Sequence, residues 1–383
     1  MRIIFIFSLV LACLTTQAQT TITFDPEDGN NKLYTKLYGH IDYNQKLEKG
    51  FRNPGNVDIH RIVTLFGYQF NRNTQFMTEI EFEHAKEIFV EQAFVKHRLN
   101  KKVTLRAGMM IVPMGFVNEQ HEPTFFYSVE RPLLDNKIIP TTWREIGLGI
   151  SGLFTEQSIK YQLYFFNPVN GYNDGANING ASGIRNGRQK GAKEILTTLP
   201  ALSGQIEYFG FEDTKIGLSA YSGKTNSSLV REYPVIDALS TSIIDSSTVN
   251  LHMATLHASY SPGNLETRIQ YTHALYGNTN KYNSFTGSDV PLQMMGFYVL
   301  VAYDLLNSDT KKLSPFVRFS RLSNHFKTSE AINKNDSLNQ NIFTVGLNYF
   351  PTTGVVFKVD YQFINKDNGD SFNNFNTGVG VWF

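Results

Sequence analysis

The stretch Val355-Val-Phe-Lys-Val-Asp-Tyr-Gln-Phe363 alternates residue by residue. Val355, Phe357, Val359, Tyr361 and Phe363 form one wholly apolar face, while Lys358, Asp360 and Gln362 share the other with Val356. A period of two belongs to a β-strand whose two faces meet different surroundings. The period leaves open where the apolar face goes: a soluble sandwich turns it to a core, a membrane barrel turns it to lipid.

The same rhythm recurs through the chain. It predicts strands near 32–43, 58–70, 73–84, 88–99, 102–110, 144–154, 157–167 and 201–210, and further ones near 214–222, 248–260, 264–276, 292–304, 313–322, 341–350, 354–365 and 374–383. That is about sixteen, an even number, as a single-chain outer-membrane barrel requires. The connections alternate in length. Short ones fall at 71–73, 100–101, 155–157, 211–213, 261–263 and 351–353, and long ones at 44–57, 111–143, 168–200, 223–247, 277–291 and 323–340. Short periplasmic turns and long extracellular loops produce this rhythm. Two connections break it: 85–87 is short where a long one is expected, and 305–312 is longer than a tight turn.

Composition removes several classes. A chain of 383 residues ordinarily implies two or more soluble domains, but one closed sheet can use the whole length. The longest apolar runs, such as Gly296 to Ala302, are far below the roughly 20 residues of a helical span. Lys plus Arg number 35 against 34 Asp plus Glu, which offers no basic field for nucleic acid. Residues 1–19 carry Arg2, an apolar run from Ile3 to Cys13 and a small-polar end at Ala18, the layout of a secretory signal peptide cleaved after Ala18 or Gln19. Val10-Leu-Ala-Cys13 resembles a lipobox, but Leu11 is unusual before the small position and a barrel needs no lipid anchor. Cys13 is the only cysteine, so a mature chain would form no disulfide. Residues 20–31 then read as a short periplasmic lead-in, and 32–383 as an all-β, transmembrane antiparallel barrel.

Aromatic residues make up 13% of the chain and cluster near strand ends, as in Tyr34, Tyr38, Tyr43, Phe66, Tyr68 and Phe70, and in Tyr161, Tyr164, Phe165 and Phe166. In a barrel they are expected to form interfacial girdles. Asn376, Gly378, Val381 and the terminal Phe383 match the pattern of a polar residue, Gly, hydrophobic residue and aromatic end that resembles the C-terminal assembly signal of outer-membrane barrels.

Arg106-Ala-Gly108, Pro113-Met-Gly115, Glu130-Arg-Pro132 and Pro140-Thr-Thr-Trp-Arg-Glu-Ile-Gly-Leu-Gly149 together resemble the porins of the phosphate-selective O and P type. The resemblance implies a sixteen-stranded barrel, usually trimeric, whose third extracellular loop folds inward to narrow the pore, here residues 110–143. The chain departs from the family in charge. The loop offers Glu119, Glu122, Glu130 and Asp135 against Arg131 and Lys137, so phosphate selectivity is not carried over.

With the apolar faces on lipid, the opposite faces line the lumen. This assigns to the lumen wall Glu79, Glu81, Glu83, Lys96, Arg98, Arg268, Arg318 and Lys358, with Asp360, because Arg or Lys on the lipid face costs about 2–4 kcal/mol at the midplane. Glu119, Glu122, Glu130 and Arg131 of the loop, with Arg106 and Arg144, are the expected constriction. Acids of the loop facing a basic wall at Arg106, Arg144, Arg268 and Arg318 would set a transverse field there.

Other matches carry less. Gly147-Leu-Gly-Ile-Ser-Gly152 fits a dinucleotide fingerprint literally, but it lies inside an alternating strand with no helix to follow; these glycines are expected to leave room for the inserted loop. Residues 173–180 and 366–370 lack EF-hand spacing and read as solvated loops. The nine histidines are scattered, with no HExxH, CxxC or GxSxG, so no metal, cofactor or catalytic group is expected. The reading that follows is an outer-membrane porin for passive diffusion of small hydrophilic solutes or ions. Its expected surroundings are outer-membrane lipid and lipopolysaccharide, the barrel assembly machinery and two further copies of itself. A barrel enzyme of lipase or protease type and an uptake receptor are the alternatives; the first needs a smaller, filled lumen and the second a plug, for which the lead-in is short.

Overall fold

In the computed structural model, which describes residues 32–308 and 310–383, the alternating segments pair with their chain neighbours into one antiparallel sheet. The expectations for residues 1–31 lie outside the described residues. In chain order the strands are β1 Lys32–Leu47, β2 Asn56–Gln69, β3 Thr74–Glu83, β4 Glu87–Arg98, β5 Thr104–Ile111, β6 Arg144–Phe154, β7 Ile159–Phe166 and β8 Ala201–Phe211. They continue with β9 Thr214–Lys224, β10 Asn250–Tyr260, β11 Leu265–Gly277, β12 Gln293–Tyr303, β13 Lys312–Lys327, β14 Asn339–Thr352, β15 Val355–Lys366 and β16 Ser371–Trp382. Seventeen strands share the sheet; one is the two-residue piece Leu306–Asn307, which pairs with β13 and explains the long 305–312 connection, leaving sixteen.

β16 pairs back onto β1, from Tyr38 opposite Trp382 to Leu47 opposite Asn373, and the sheet closes. Closure satisfies backbone groups that lipid cannot hydrogen-bond. All sixteen expected strands form. β1 and β13 run further than their alternation predicts, to Leu47 and Lys327, because their partners continue beside them on the long-loop rim.

β15 settles the orientation left open by the sequence. Phe357 and Phe363 are 51% and 42% exposed, whereas Lys358 and Asp360 are 5% and 2%. The apolar face is outside, the reverse of a soluble sheet. Ile62, Phe82, Leu148, Leu163, Leu218, Leu256, Val301 and Phe319 continue the outward band around the barrel. Among the described residues no helix is long and apolar enough to cross a membrane.

The interior is less polar than alternation suggests. β12 is apolar on both faces: Val301 points out, while Met294, Tyr298, Leu300 and Ala302 are buried inside. A strand covered on both sides reads as a continuous apolar run, and this accounts for Gly296 to Ala302. The inner cover is the loop between β5 and β6, whose short helix α1 Leu134–Lys137 lies against the wall. A Cβ on Gly296 would come 2.6 Å from Leu134 Cδ1, so glycine permits this approach.

Two sequence expectations change here. Gly147, Gly149 and Gly152 make room for β7 instead of the loop: side chains there would strike Phe166, Tyr164 and Tyr161 of the neighbouring strand. Consequently Tyr164 and Phe166 point inward and leave the girdle, their rings filling the space beside Gly149 and Gly147, and Tyr38 also points inward, where its hydroxyl donates to Glu91.

Val359→Lys places a charge in the lipid-facing band and is expected to lower folding stability in vesicles by about 2–4 kcal/mol if it lies near the midplane. Gln362→Lys, three residues on and facing inward, is expected to change it by less than about 1 kcal/mol. Urea titrations of the two variants, followed by tryptophan fluorescence, check the contrast.

Candidate functional site

Residues 112–143 enter the barrel between β5 and β6 and are held from many sides. Asn118 closes the entrance, donating from Nδ2 to the Val112 and Trp143 carbonyls at 2.6 and 3.2 Å and accepting from Trp143 N at 2.7 Å. From there the segment bonds to the far wall. Phe116 N donates to Gln270 Oε1 at 3.0 Å, and Gln270 Nε2 donates to Asp135 Oδ1 at 2.8 Å. Arg268 donates to the Phe125 carbonyl at 2.6 Å, Arg318 to Ser128 Oγ at 2.6 Å, and Lys358 to the Phe126 and Ser128 carbonyls. Val129 N donates to Asp360 Oδ2 at 2.6 Å, and Asn44 Nδ2 to Glu130 Oε1 at 3.0 Å. Hydrogen bonds involving a charged group contribute roughly 1.5–3 kcal/mol each, so these fix the segment in place.

The basic wall therefore meets the loop's backbone and hydroxyl groups. Its acids are occupied elsewhere: Glu119 accepts from Gln162 at 2.6 Å, Glu130 from Asn44, and Asp135 from Gln270. Among the described residues no salt bridge joins Glu119, Glu122, Glu130 or Asp135 to Arg106, Arg144, Arg268 or Arg318. The loop acids Glu119, Glu130 and Asp135 and the wall bases Arg268 and Arg318 are thus bonded to other groups and not paired with one another. Burial pushes the Asp135 carboxyl up to about 7, because the Gln270 bond and the Arg318 charge do not offset desolvation.

On the long-loop side of this segment lies a cavity of about 700 Å³. Its lining holds nine Lys or Arg against three Glu. Arg61, Arg144, Arg318 and Lys366 come from strands; Arg131 and Lys137 come from the 112–143 loop; Arg185, Arg188 and Lys190 come from the loop between β7 and β8. The acids are Glu81, Glu83 and Glu130. Arg144 and Lys190 both lie over the Phe89 ring, 5.8 and 5.5 Å from its centroid, so one aromatic ring steadies two cations. Burial, with Arg185 and Arg144 nearby, lowers the Arg188 pKa to about 10. Arg188 donates to the Pro140 and Thr142 carbonyls at 3.0 Å each, which ties the second loop to the first.

The remaining sequence-predicted residues are placed as follows. Glu79 and Glu81 are buried on the inner face and Glu83 borders the cavity. Lys96 and Arg106 are directly opposite in register on β4 and β5, and Arg106 lies over the inward Phe94 ring at 5.7 Å; Arg98 is exposed near the short-turn rim. Lys96, Arg98 and Arg106 do not share the cavity with Glu130, Arg131 and Arg144. Glu122 is half-buried on the loop. Asn376 is buried and donates to Asp360 Oδ1 at 2.8 Å, Gly378 lies close to Val129 of the loop, and Phe383 ends on the seam with β1.

Two strand irregularities supply residues that alternation misses. Between Glu79 opposite Gln92 and Ile80 opposite Val90, β4 carries one residue too many, so Glu91 and Gln92 both reach inward. β2 likewise carries an extra residue between Asp58 opposite Asp42 and Arg61 opposite His40, and His60 and Arg61 both face the cavity. Such bulges re-aim side chains. The signal was available as a change of phase: Ile88 and Val90 are apolar in one parity, Ala93 and Val95 in the other. Glu91 is fully buried. It meets His121 of the loop at 3.2 Å, accepts from Tyr38 at 3.2 Å and lies 3.9 Å from Arg61. Burial alone would lower the His121 pKa, but the Glu91 carboxylate outweighs it and raises it to about 9.

No protein-family model matches the chain. An uncharacterised protein of Aquifex aeolicus strain VF5 is 28% identical over 362 residues, covering 88% of this chain and 76% of its own length. Among solved structures, the outer membrane channel DcaP of Acinetobacter baumannii is similar with a TM-score of 0.60 at 9% identity, covering 94% of this chain and 99% of its own. The OmpF of Salmonella typhi in complex with daunomycin gives 0.59 at 11% identity over 92% and 98%, and the anion-selective porin from Comamonas acidovorans gives 0.57 at 10% over 92% and 100%. At these identities the likeness is one of fold. With the outward apolar band, it makes the chain a sixteen-stranded β-barrel of the bacterial outer membrane.

The His121–Glu91 contact has a defined pH window. Its folded pKa lies above the unfolded value of about 6.5, so its stabilisation is complete below that and is lost as pH rises through about 9. Hydrogen exchange of residues 116–124 is expected to accelerate between pH 8 and pH 10, after correction for the intrinsic rate. In His121→Ala the segment should exchange fast at both ends of that range.

Proposed function

We propose that the chain is a water-filled diffusion channel that passes small hydrophilic solutes, favours anions, and is narrowed by residues 110–143. The observation that carries this reading is the lining of the long-loop cavity, nine basic side chains against three acidic ones in a protein whose total charge is +1. Low-dielectric walls focus the field of such a lining and raise the local concentration of counter-ions. Solutes would meet Arg144, Arg188 and Lys190 around Phe89 and then pass the anchored loop toward Lys96, Arg98 and Arg106. The loop's many wall bonds support a constriction of fixed shape. The anion selectivity named for the Comamonas acidovorans porin agrees with the sign of this charge.

Further parts of the reading rest on resemblance. A channel and not an enzyme is favoured by the barrels of similar fold, among them a channel and an anion-selective porin. A homotrimer follows from the likeness to O and P type porins, as does delivery by the barrel assembly machinery through Asn376, Gly378, Val381 and Phe383. In the membrane the outer rim would contact lipopolysaccharide.

Single-channel recording in a planar bilayer under a KCl gradient tests the function. A stable conductance with a reversal potential of anion-selective sign is expected. The triple variant Arg144→Ala, Arg188→Ala, Lys190→Ala should lower the anion-to-cation permeability ratio by about two-fold or more. A cation-selective sign overturns the selectivity, and a folded but silent barrel overturns the channel.

A further inference from the structure

β1 and β2 bring two imidazoles and a carboxylate together on the inner wall. His40 and Asp42 share the inward face of β1, and the extra residue in β2 turns His60 toward them. The two rings stack with centroids 4.3 Å apart. Asp42 Oδ2 lies 3.1 Å from His60 Nδ1 and 3.4 Å from His40 Nε2, and the three donor atoms all lie within 4.8 Å of one another.

These contacts do not have hydrogen-bond geometry. Asp42 Oδ2 is buried and accepts no hydrogen bond, although the carboxylate is nearly sealed from solvent, with its side chain 1% exposed. Its other oxygen is held: Asn44 Nδ2 donates to Oδ1 at 3.0 Å and to Glu130 Oε1 at 3.0 Å. One carboxylate oxygen is thus oriented by an outer partner while the other faces two imidazole nitrogens without bonding to either, the arrangement seen when a ligating group is fixed from behind. Bonds of about 2.0–2.1 Å in a tetrahedral shell place neighbouring donor atoms about 3.3 Å apart, which the 3.1 and 3.4 Å separations match. A hydrogen bond or ion pair from one of the histidines is the alternative account, but it requires a ring N–H aimed at Oδ2, and Oδ2 accepts none.

We propose that His40, Asp42 and His60 form a binding site for one divalent transition-metal ion of the zinc class, with its open coordination position toward the cavity. Two imidazoles and one carboxylate suit zinc, cobalt, nickel or copper, whereas magnesium and calcium prefer all-oxygen shells. His60 supplies access, since its side chain is 23% exposed and borders the cavity. The His84–Asp58 pair at the β3–β4 turn stands next to it, with the two histidine rings 5.8 Å apart, and offers outer donors on the route from the rim. The second cluster of this kind, Glu79, Glu91 and His121, is already bonded internally through Glu91 to His121 and Tyr38. The site does not depend on whether the barrel conducts.

The test uses the full-length, untagged protein folded in detergent, with folding checked by heat-dependent gel migration, and Co²⁺ as the probe. Wild type should show visible d–d absorption saturating at one Co²⁺ per chain and displaced by Zn²⁺. His60→Gln and Asp42→Asn should abolish it, Asn44→Ala should weaken binding about ten-fold, and His257→Gln, at another buried inner histidine, should leave it unchanged. Absence of a saturable signal in folded wild type overturns the proposal. So does a signal that survives His60→Gln, or one lost in His121→Gln but not in His60→Gln, which would assign the ion to the other cluster.

Discussion

Leu37 and Phe383 exchange both backbone hydrogen bonds, at 2.8 and 2.9 Å, at the end of the seam between β1 and β16. Everything else in the molecule follows from that closure. An open sheet would leave a row of unpaired N–H and C=O groups in lipid, each costing several kcal/mol. Once the sheet is closed, outward side chains must be apolar and inward ones are free to be charged. Lys358 and Asp360, in the middle of the strand that best shows the alternation, illustrate the result.

Closure also creates a volume that a sixteen-stranded wall cannot fill with its own side chains. Residues 112–143 occupy part of it, and the wall answers in two ways. Against β12 the contact is apolar, with Leu134 and Ile138 over Gly296 and beside Met294. Around the rest it is polar, and Arg268, Arg318 and Lys358 spend their charge on the loop's carbonyl and hydroxyl oxygens. Acids are absorbed by amides such as Gln162, Asn44 and Gln270. The result is an uneven distribution of charge inside a nearly neutral chain, with nine basic side chains on the cavity against Glu81, Glu83 and Glu130.

The two bulges concentrate this chemistry. Each adds one residue to a strand and so delivers neighbouring side chains, His60 with Arg61 and Glu91 with Gln92, to the same face. One fastens the loop through His121, and the other brings a second imidazole to Asp42. Both occur on the long-loop half of β2 and β4, beside the cavity.

The sequence by itself determined the strand number and the loop rhythm, because a period of two is local; the cost of charge in lipid names the lumen face only once a barrel is granted, and the burial in the closed sheet decided that the apolar face is outside. It also marked 110–143 as the segment to watch, by length and by resemblance. Only the tertiary structure decided what those residues meet. Whether Glu130 faces Arg144 or Asn44, whether Gly147 admits a loop or a ring, and whether Arg185, Arg188 and Lys190 from a loop more than forty residues further on join Arg144 are questions of approach between segments distant in sequence. The bulges fell between the two: they shift the phase of β2 and β4 in a readable way, but the partners they bring together, His40 and Asp42 for His60 and His121 for Glu91, are set by pairing and by the fold of the loop.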